Sequence, residues 1–165
     1  LYFAAALPLG YCSTCELLDI MLAEPREAAK LKTKLVSAAP PGLAILDVQE
    51  VELHDRAPIK GMREAEFLVT LWGVQEEIVT PSIEKLLSCK NILRERIKKG
   101  KQREYDMRPL IRTIEISRAD EQSIDLDMRL ACGPDGSGRP EEIIDALSLD
   151  GLERFQIIRE KLIWE

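Results

Sequence analysis

Between Arg94 and Arg112 the chain gathers eight basic residues, Arg94, Arg96, Lys98, Lys99, Lys101, Arg103, Arg108 and Arg112, against three acids, Glu95, Glu104 and Asp106. The chemistry open to such a run is electrostatic, the neutralisation of phosphates with release of their counterions. A hairpin closed at Lys99-Gly100 sets Lys98 opposite Lys101, Arg96 opposite Arg103 and Arg94 opposite Tyr105, with glycine supplying the positive φ of the turn. Alternation along each strand then places Arg94, Arg96, Lys98, Lys101, Arg103 and Tyr105 on one face. Like charges directly opposite destabilise a hairpin by about 0.2–1 kcal/mol per pair, so folding gains nothing from this arrangement, whereas a polyanion relieves it. The competing reading is a solvated edge whose lysines resist pairing with other strands. RNA is the expected polyanion, held along its backbone. Aromatic residues are 5% of the chain, and Tyr105 is the one inside the basic run, which does not support a base-stacking platform.

A second anion site is expected at Gly138 and Arg139. They end a glycine-rich loop, Gly133-Pro134-Asp135-Gly136-Ser137-Gly138-Arg139-Pro140, that enters a helix N-terminus, where free N–H groups and the helix dipole favour negative charge. Arg139 could grip a phosphate or carboxylate with two N–H groups. The pattern lacks the Gly-Lys-Ser/Thr ending of a nucleotide-binding P-loop, and an ordinary connection is the competing reading. Asp106 and Arg108 lie two apart, as a site pair or as a structural ion pair beside Pro109. Cys12 and Cys15 have the spacing of a redox pair or of half a zinc site, but two further ligands are wanting; ordinary thiols are the alternative. His54, the one histidine, has no nucleophile or second catalytic group near it and reads as a surface residue. No catalytic residue is assigned.

The frame that must position these groups is modest in size. The 165 residues, 18.7 kDa, suit one ordinary domain or two small ones and exclude a large multidomain enzyme. With 45% hydrophobic and 32% charged residues the chain can bury a core. The longest uncharged stretch, Leu1 to Cys15, is broken by Pro8 and Gly10 and falls short of the roughly 20 residues of a membrane span. Net charge is −6 and the pI about 5.0, which argues against nucleic-acid coating by overall charge. The basic run carries a local +5, leaving −11 on the rest, so an acidic partner is expected at that patch alone. Four scattered cysteines, at 12, 15, 89 and 132, form no disulfide framework, and a reducing cytoplasm is the expected compartment. The chain opens at Leu1 without a basic leader, so it reads as a piece of a longer protein and not as a secreted one.

Patterning predicts a strand over 17–22 and a helix from Pro25 to about Ala38, with an apolar stripe of Ala28, Leu31, Leu35 and Ala38. Pro40-Pro41-Gly42 stops that helix, and a strand is expected over 43–53. A strand through Phe67, Val69 and Leu71 follows, then a helix capped by Thr80 with Pro81 at its first position. Hairpins are expected over 93–97 with 102–107 and over 113–117 with 124–130. A helix from Pro140 and a strand over 154–163 close the chain. The fold class is α+β, two ferredoxin-like (split βαβ) halves whose antiparallel sheets carry helices on one face. The first half is incomplete and spans 1–54; 55–63 is a linker; 64–165 is the second half.

Three stretches resemble the bacterial domain of unknown function that accompanies, or is fused behind, radical S-adenosylmethionine proteins. They are Leu7-Pro8-Leu9-Gly10 with Glu16-Leu17-Leu18-Asp19-Ile20; Lys99-Gly100-Lys101 through Asp106-Met107-Arg108-Pro109-Leu110-Ile111; and Gly138-Arg139-Pro140-Glu141-Glu142. The resemblance implies a missing N-terminal strand and helix, and a radical enzyme as partner, often a cobalamin-binding one, with a connection to RNA or ribosome maturation. An iron–sulfur cluster, S-adenosylmethionine and cobalamin would belong to that partner, because the cluster needs three close cysteines that this chain lacks. The expected function is a non-catalytic accessory domain docking a substrate, RNA foremost, for the radical enzyme. An autonomous RNA-binding module is the alternative, and a small enzyme with an anion site at 133–140 the third reading.

Overall fold

Ala65, Phe67, Val69 and Leu71 alternate with Glu66, Leu68, Thr70 and Trp72 along one strand, and the computed structural model buries the first set while leaving the second half-exposed. That period of two is what a sheet with one covered face requires. The structure describes residues 1–52, 60–98, 101–133 and 136–164, the side chains of Ile97, Lys98 and Lys101 excepted. His54, most of the expected linker and the two turn residues Lys99 and Gly100 lie outside the described residues.

The elements in chain order are β1 (Tyr2–Phe3), β2 (Tyr11–Ser13), β3 (Leu18–Asp19), α1 (Ala28–Ala38), β4 (Met62–Trp72), α2 (Glu76–Ser88), β5 (Leu93–Lys98) and β6 (Lys101–Asp106). A 3₁₀ turn over Arg108–Leu110 leads to β7 (Ile111–Ala119), β8 (Ser123–Gly133), β9 (Gly136–Ser137), α3 (Pro140–Leu147) and β10 (Arg154–Trp164). The chain is thus a mixed α+β protein. Its main sheet has the order β2-β10-β4-β8-β7, with β9 on β8. The pairs β10–β4, β4–β8 and β7–β8 are antiparallel, whereas β2 lies parallel to β10. Val79, Ile83 and Leu86 of α2 and Ile143, Ile144 and Leu147 of α3 are buried with the inner face of β4 and β8. Among the described residues no helix is long and apolar enough to cross a membrane.

The opposite face of the sheet is held by paired charges. Glu64 accepts from Arg112 Nε at 2.8 Å and from Arg129 Nε, and Arg118 Nε donates to Asp125 at 2.7 Å. The guanidinium of Arg154 lies 4.5 Å above the Trp72 ring.

Several sequence expectations are corrected. The strand over 17–22 shrinks to Leu18–Asp19, paired with β1 in a two-stranded sheet, and no strand forms over 43–52. Both runs have β-prone residues but no long neighbouring strand to satisfy their backbone groups. Helix α1 begins at Ala28, after Pro25, and buries no residue; the stripe of Ala28, Leu31 and Leu35 is only half-covered and Ala38 is exposed. Helix α2 begins at Glu76, so Pro81 sits inside it, where packing of Val79 and Ile83 overrides the proline's missing N–H. The two hairpins, the helix from Pro140 and the final strand form as expected.

Candidate nucleic-acid interface

The β5–β6 ribbon is a separate two-stranded sheet, and its register pairs Arg94 with Tyr105, Arg96 with Arg103 and Lys98 with Lys101. Its base is stitched to the body by Asp106, whose Oδ1 accepts from the backbone N–H of Ile92 at 2.8 Å and of Arg108 at 3.0 Å, while Oδ2 accepts from Asn91 Nδ2 at 2.8 Å. The Ile92 amide foremost, with Asn91, holds the Asp106 carboxyl below the usual carboxylate range. Arg108 stands in the 3₁₀ turn, not on a strand face, and donates to the carbonyls of Leu87 at 3.2 Å and Ile111 at 3.4 Å. Asp106 and Arg108 are therefore both engaged in closing the hairpin's foot.

The cationic face of the ribbon turns towards the first turns of α3. Arg96 Nε donates to Glu142 Oε1 at 2.8 Å and Nη2 to Oε2 at 2.6 Å, a two-pronged carboxylate grip, and Nη2 also reaches the Ser137 carbonyl at 3.1 Å. The Tyr105 hydroxyl donates to Glu142 Oε2, and the Arg96 guanidinium lies 4.4 Å from the Tyr105 ring centroid. Arg94 Nη1 pairs with Asp145 Oδ2 at 3.0 Å, while its buried Nε finds no partner. Glu142 and Asp145 are three apart on a helix and so share a face; Arg94 and Arg96 are two apart on a strand and do likewise. These matched spacings let one pair of acids meet one pair of arginines. Burial alone would raise the Glu142 carboxyl, but Arg96 and Tyr105 more than offset it and hold it below its ordinary value. Burial and the bond to Glu142 push Tyr105 up to about 12.

The other predicted cations fare differently. Arg103 is exposed, and its side chain makes no hydrogen bond or ion pair among the described residues. Lys98 and Lys101 take their expected strand positions, at the end of β5 and the start of β6. Arg139 is exposed, but the rest of the expected loop site is occupied from within the fold. The buried Gly138 donates its N–H to the Ala131 carbonyl at 2.9 Å, and a side chain there would fall 3.0 Å from Leu130 Cβ. Pro140 has no N–H, and Glu141 and Glu142 bring two carboxylates to the same helix start.

Sequence reasoning missed the role of Glu142 and Asp145. The signal was present in an acid pair at i, i+3 in α3, but nothing local says which arginines would meet it. It also missed Tyr11, whose hydroxyl donates to Glu141 and whose ring meets Phe67 edge-on at 6.3 Å, fastening β2 beside α3. Burial foremost, then Glu141, raises the Tyr11 phenol well above its usual value. Cys15 turns inward, its thiol donating to the Arg159 carbonyl at 3.5 Å, whereas Cys12 is exposed; Cys15 and the buried Cys132 are both raised by burial, which disfavours their thiolates. Among the described residues no group of three or more His, Cys, Asp or Glu is placed to hold a metal ion.

A family model described as an uncharacterized protein conserved in bacteria (DUF2344) matches residues 1–140. No curated protein and no solved structure matches the chain.

Proposed function

We propose that this chain, which belongs to the bacterial protein family whose model spans residues 1–140, is an accessory domain without chemistry of its own that docks RNA for a radical S-adenosylmethionine enzyme. The observation that carries the reading is the ribbon register: beyond Arg96, whose charge Glu142 meets, the like-charged Lys98 and Lys101 stand directly opposite, and Arg103, two residues along from Lys101, is exposed. Such a pair costs folding free energy unless an anion relieves it. The Arg103 side chain has no hydrogen-bond or ion-pair partner among the described residues, which supports its use on a ligand. The base of the ribbon, Arg94, Arg96, Tyr105 and Arg108, is then framework, and the distal cations Lys98, Lys101 and Arg103 are the contact.

The strand order β10-β4-β8-β7, with α2 and α3 as its two crossings on one face, supports reading 64–165 as a ferredoxin-like half, whereas β2 of the 1–54 segment joins that same sheet. An iron–sulfur cluster, S-adenosylmethionine and cobalamin would sit in the partner, and four free thiols suit a cytoplasmic protein.

The test uses the full chain with Lys101→Glu and Arg103→Glu together. RNA retention on a single-stranded oligonucleotide should fall at least tenfold at low salt, and the slope of log K against log salt should shrink by about 1.4, at 0.7 per lost contact. Retention equal to wild type removes the proposal. Recovery of RNA from lysate without a radical protein would instead favour an autonomous RNA-binding module.

A further inference from the structure

Glu142 and Asp145 occupy the two arginines in the way a ligand would. The Glu142 carboxylate presents two oxygens to the Arg96 fork at 2.6 and 2.8 Å and also accepts from Tyr105, while Asp145 holds Arg94 at 3.0 Å. A guanidinium fork takes a phosphate with the same paired geometry as a carboxylate. Among the described residues the ribbon has no backbone ladder to the main sheet. Its hold on α3 runs through side chains, and Arg94, Arg96 and Glu142 keep side-chain exposures of 28%, 26% and 19%, so water and a competing anion can reach the contact. Arg94 Nε is a buried donor with no acceptor, so the ion pair leaves the arginine's hydrogen-bonding capacity unfilled.

We propose that Glu142 and Asp145 are an internal substitute for the RNA backbone: they hold Arg94 and Arg96 against α3 in the free protein, and a phosphodiester chain displaces them, swinging the ribbon off the helix and enlarging the cationic surface. The inference rests on the docking role proposed above. It adds that the resting protein is self-blocked, with distal cations as the first contact and the two arginines as the second.

Glu142→Gln with Asp145→Asn tests it in the full chain, after circular dichroism confirms the fold. The double variant should bind a single-stranded RNA oligonucleotide about tenfold more tightly than wild type, and its salt slope should steepen by about 1.4 as two further phosphates are contacted. The comparison protein is Glu76→Gln with Glu77→Gln, the same change in net charge at exposed positions of α2. A gain equal to that comparison overturns the internal-substitute proposal. So does unchanged affinity in a protein whose Lys101→Glu/Arg103→Glu variant still loses binding, a pattern that leaves the docking role standing. If none of the proteins, wild type included, retains RNA, both proposals fall. Amide hydrogen exchange gives an independent readout: β5 and β6 should exchange faster in the Glu142→Gln/Asp145→Asn protein than in wild type, and equal rates would contradict a ribbon held by those acids.

Discussion

Arg159 and Glu16, 143 residues apart, face each other as a two-pronged ion pair. Arg159 Nε donates at 2.8 Å and Nη2 at 2.6 Å to the two Glu16 oxygens, with the arginine side chain only 3% exposed. Together with the parallel β2–β10 pairing, the Ser13 hydroxyl and the Thr14 N–H on the Arg159 carbonyl, this pair seats the N-terminal segment on the sheet edge. Removing Glu16 strands a guanidinium that is almost fully buried, whereas replacing the arginine by an apolar side chain of similar length leaves a carboxylate that is 30% exposed and can be hydrated. Glu16→Ala is therefore expected to cost about 2–3 kcal/mol and Arg159→Met about 1 kcal/mol, as read from urea midpoints at unchanged slope. The opposite ranking would show that the charge itself is dispensable.

The contact between the ribbon and α3 should be sensitive at both ends of the pH scale. Glu142 is held below its ordinary carboxyl value, so its contribution to stability is complete above the unfolded value near 4.5 and fades as pH falls through the folded one. Tyr105 is raised, so its contribution is complete below 10 and fades as pH climbs through about 12. The stability gap between wild type and Glu142→Gln should narrow from pH 7 to pH 3, and phenolate absorbance should report two late-titrating tyrosines, Tyr11 and Tyr105, of which Tyr105→Phe removes one. A gap that is flat with pH would separate Glu142 from Arg96.

Helix α1 and strand β8 predict very different costs for the same truncation. Leu126 on β8 is fully buried, whereas Leu31 on α1 is half-exposed and α1 buries no residue. Leu126→Ala should cost about 3 kcal/mol through lost transfer energy and an unfilled cavity, and Leu31→Ala less than about 0.5 kcal/mol. Equal effects in thermal unfolding would mean that α1 packs on the core.

Pro81 lies in the interior of α2, where it withholds the N–H that would pair with the Glu77 carbonyl. Replacing it by alanine restores that bond, against the smaller loss of unfolded-state restriction. The expected gain is about 1–2 kcal/mol, seen as a higher urea midpoint. A loss of stability would mean that the proline ring fits its surroundings better than alanine with the added bond.

Local chemistry made some of this legible in advance. The alternation of Ile124, Leu126, Met128 and Leu130 states which face of β8 is buried, and Pro140 at N1 places the start of α3. The register of β5–β6 was legible because a two-residue loop at 99–100 and a four-residue loop at 98–101 give the same pairing, the one observed. Other elements were not legible. The runs at 17–22 and 43–52 look like strands by residue type, yet a strand exists only if another lies beside it, and the pairing partner is not a local property.

The sequence by itself determined the cationic ribbon, the helix that begins at Pro140 and the alternating strands of the core, since each follows from side-chain period and turn chemistry over a few residues. Only the tertiary structure decided that α3 would lie against that ribbon, so that Glu142 meets Arg96 and Asp145 meets Arg94, and that Glu16 would reach Arg159. These contacts link residues 46 to 143 positions apart. Charge pairing at that range is set by the packing of the core that brings the elements together, and no local pattern of charges specifies it.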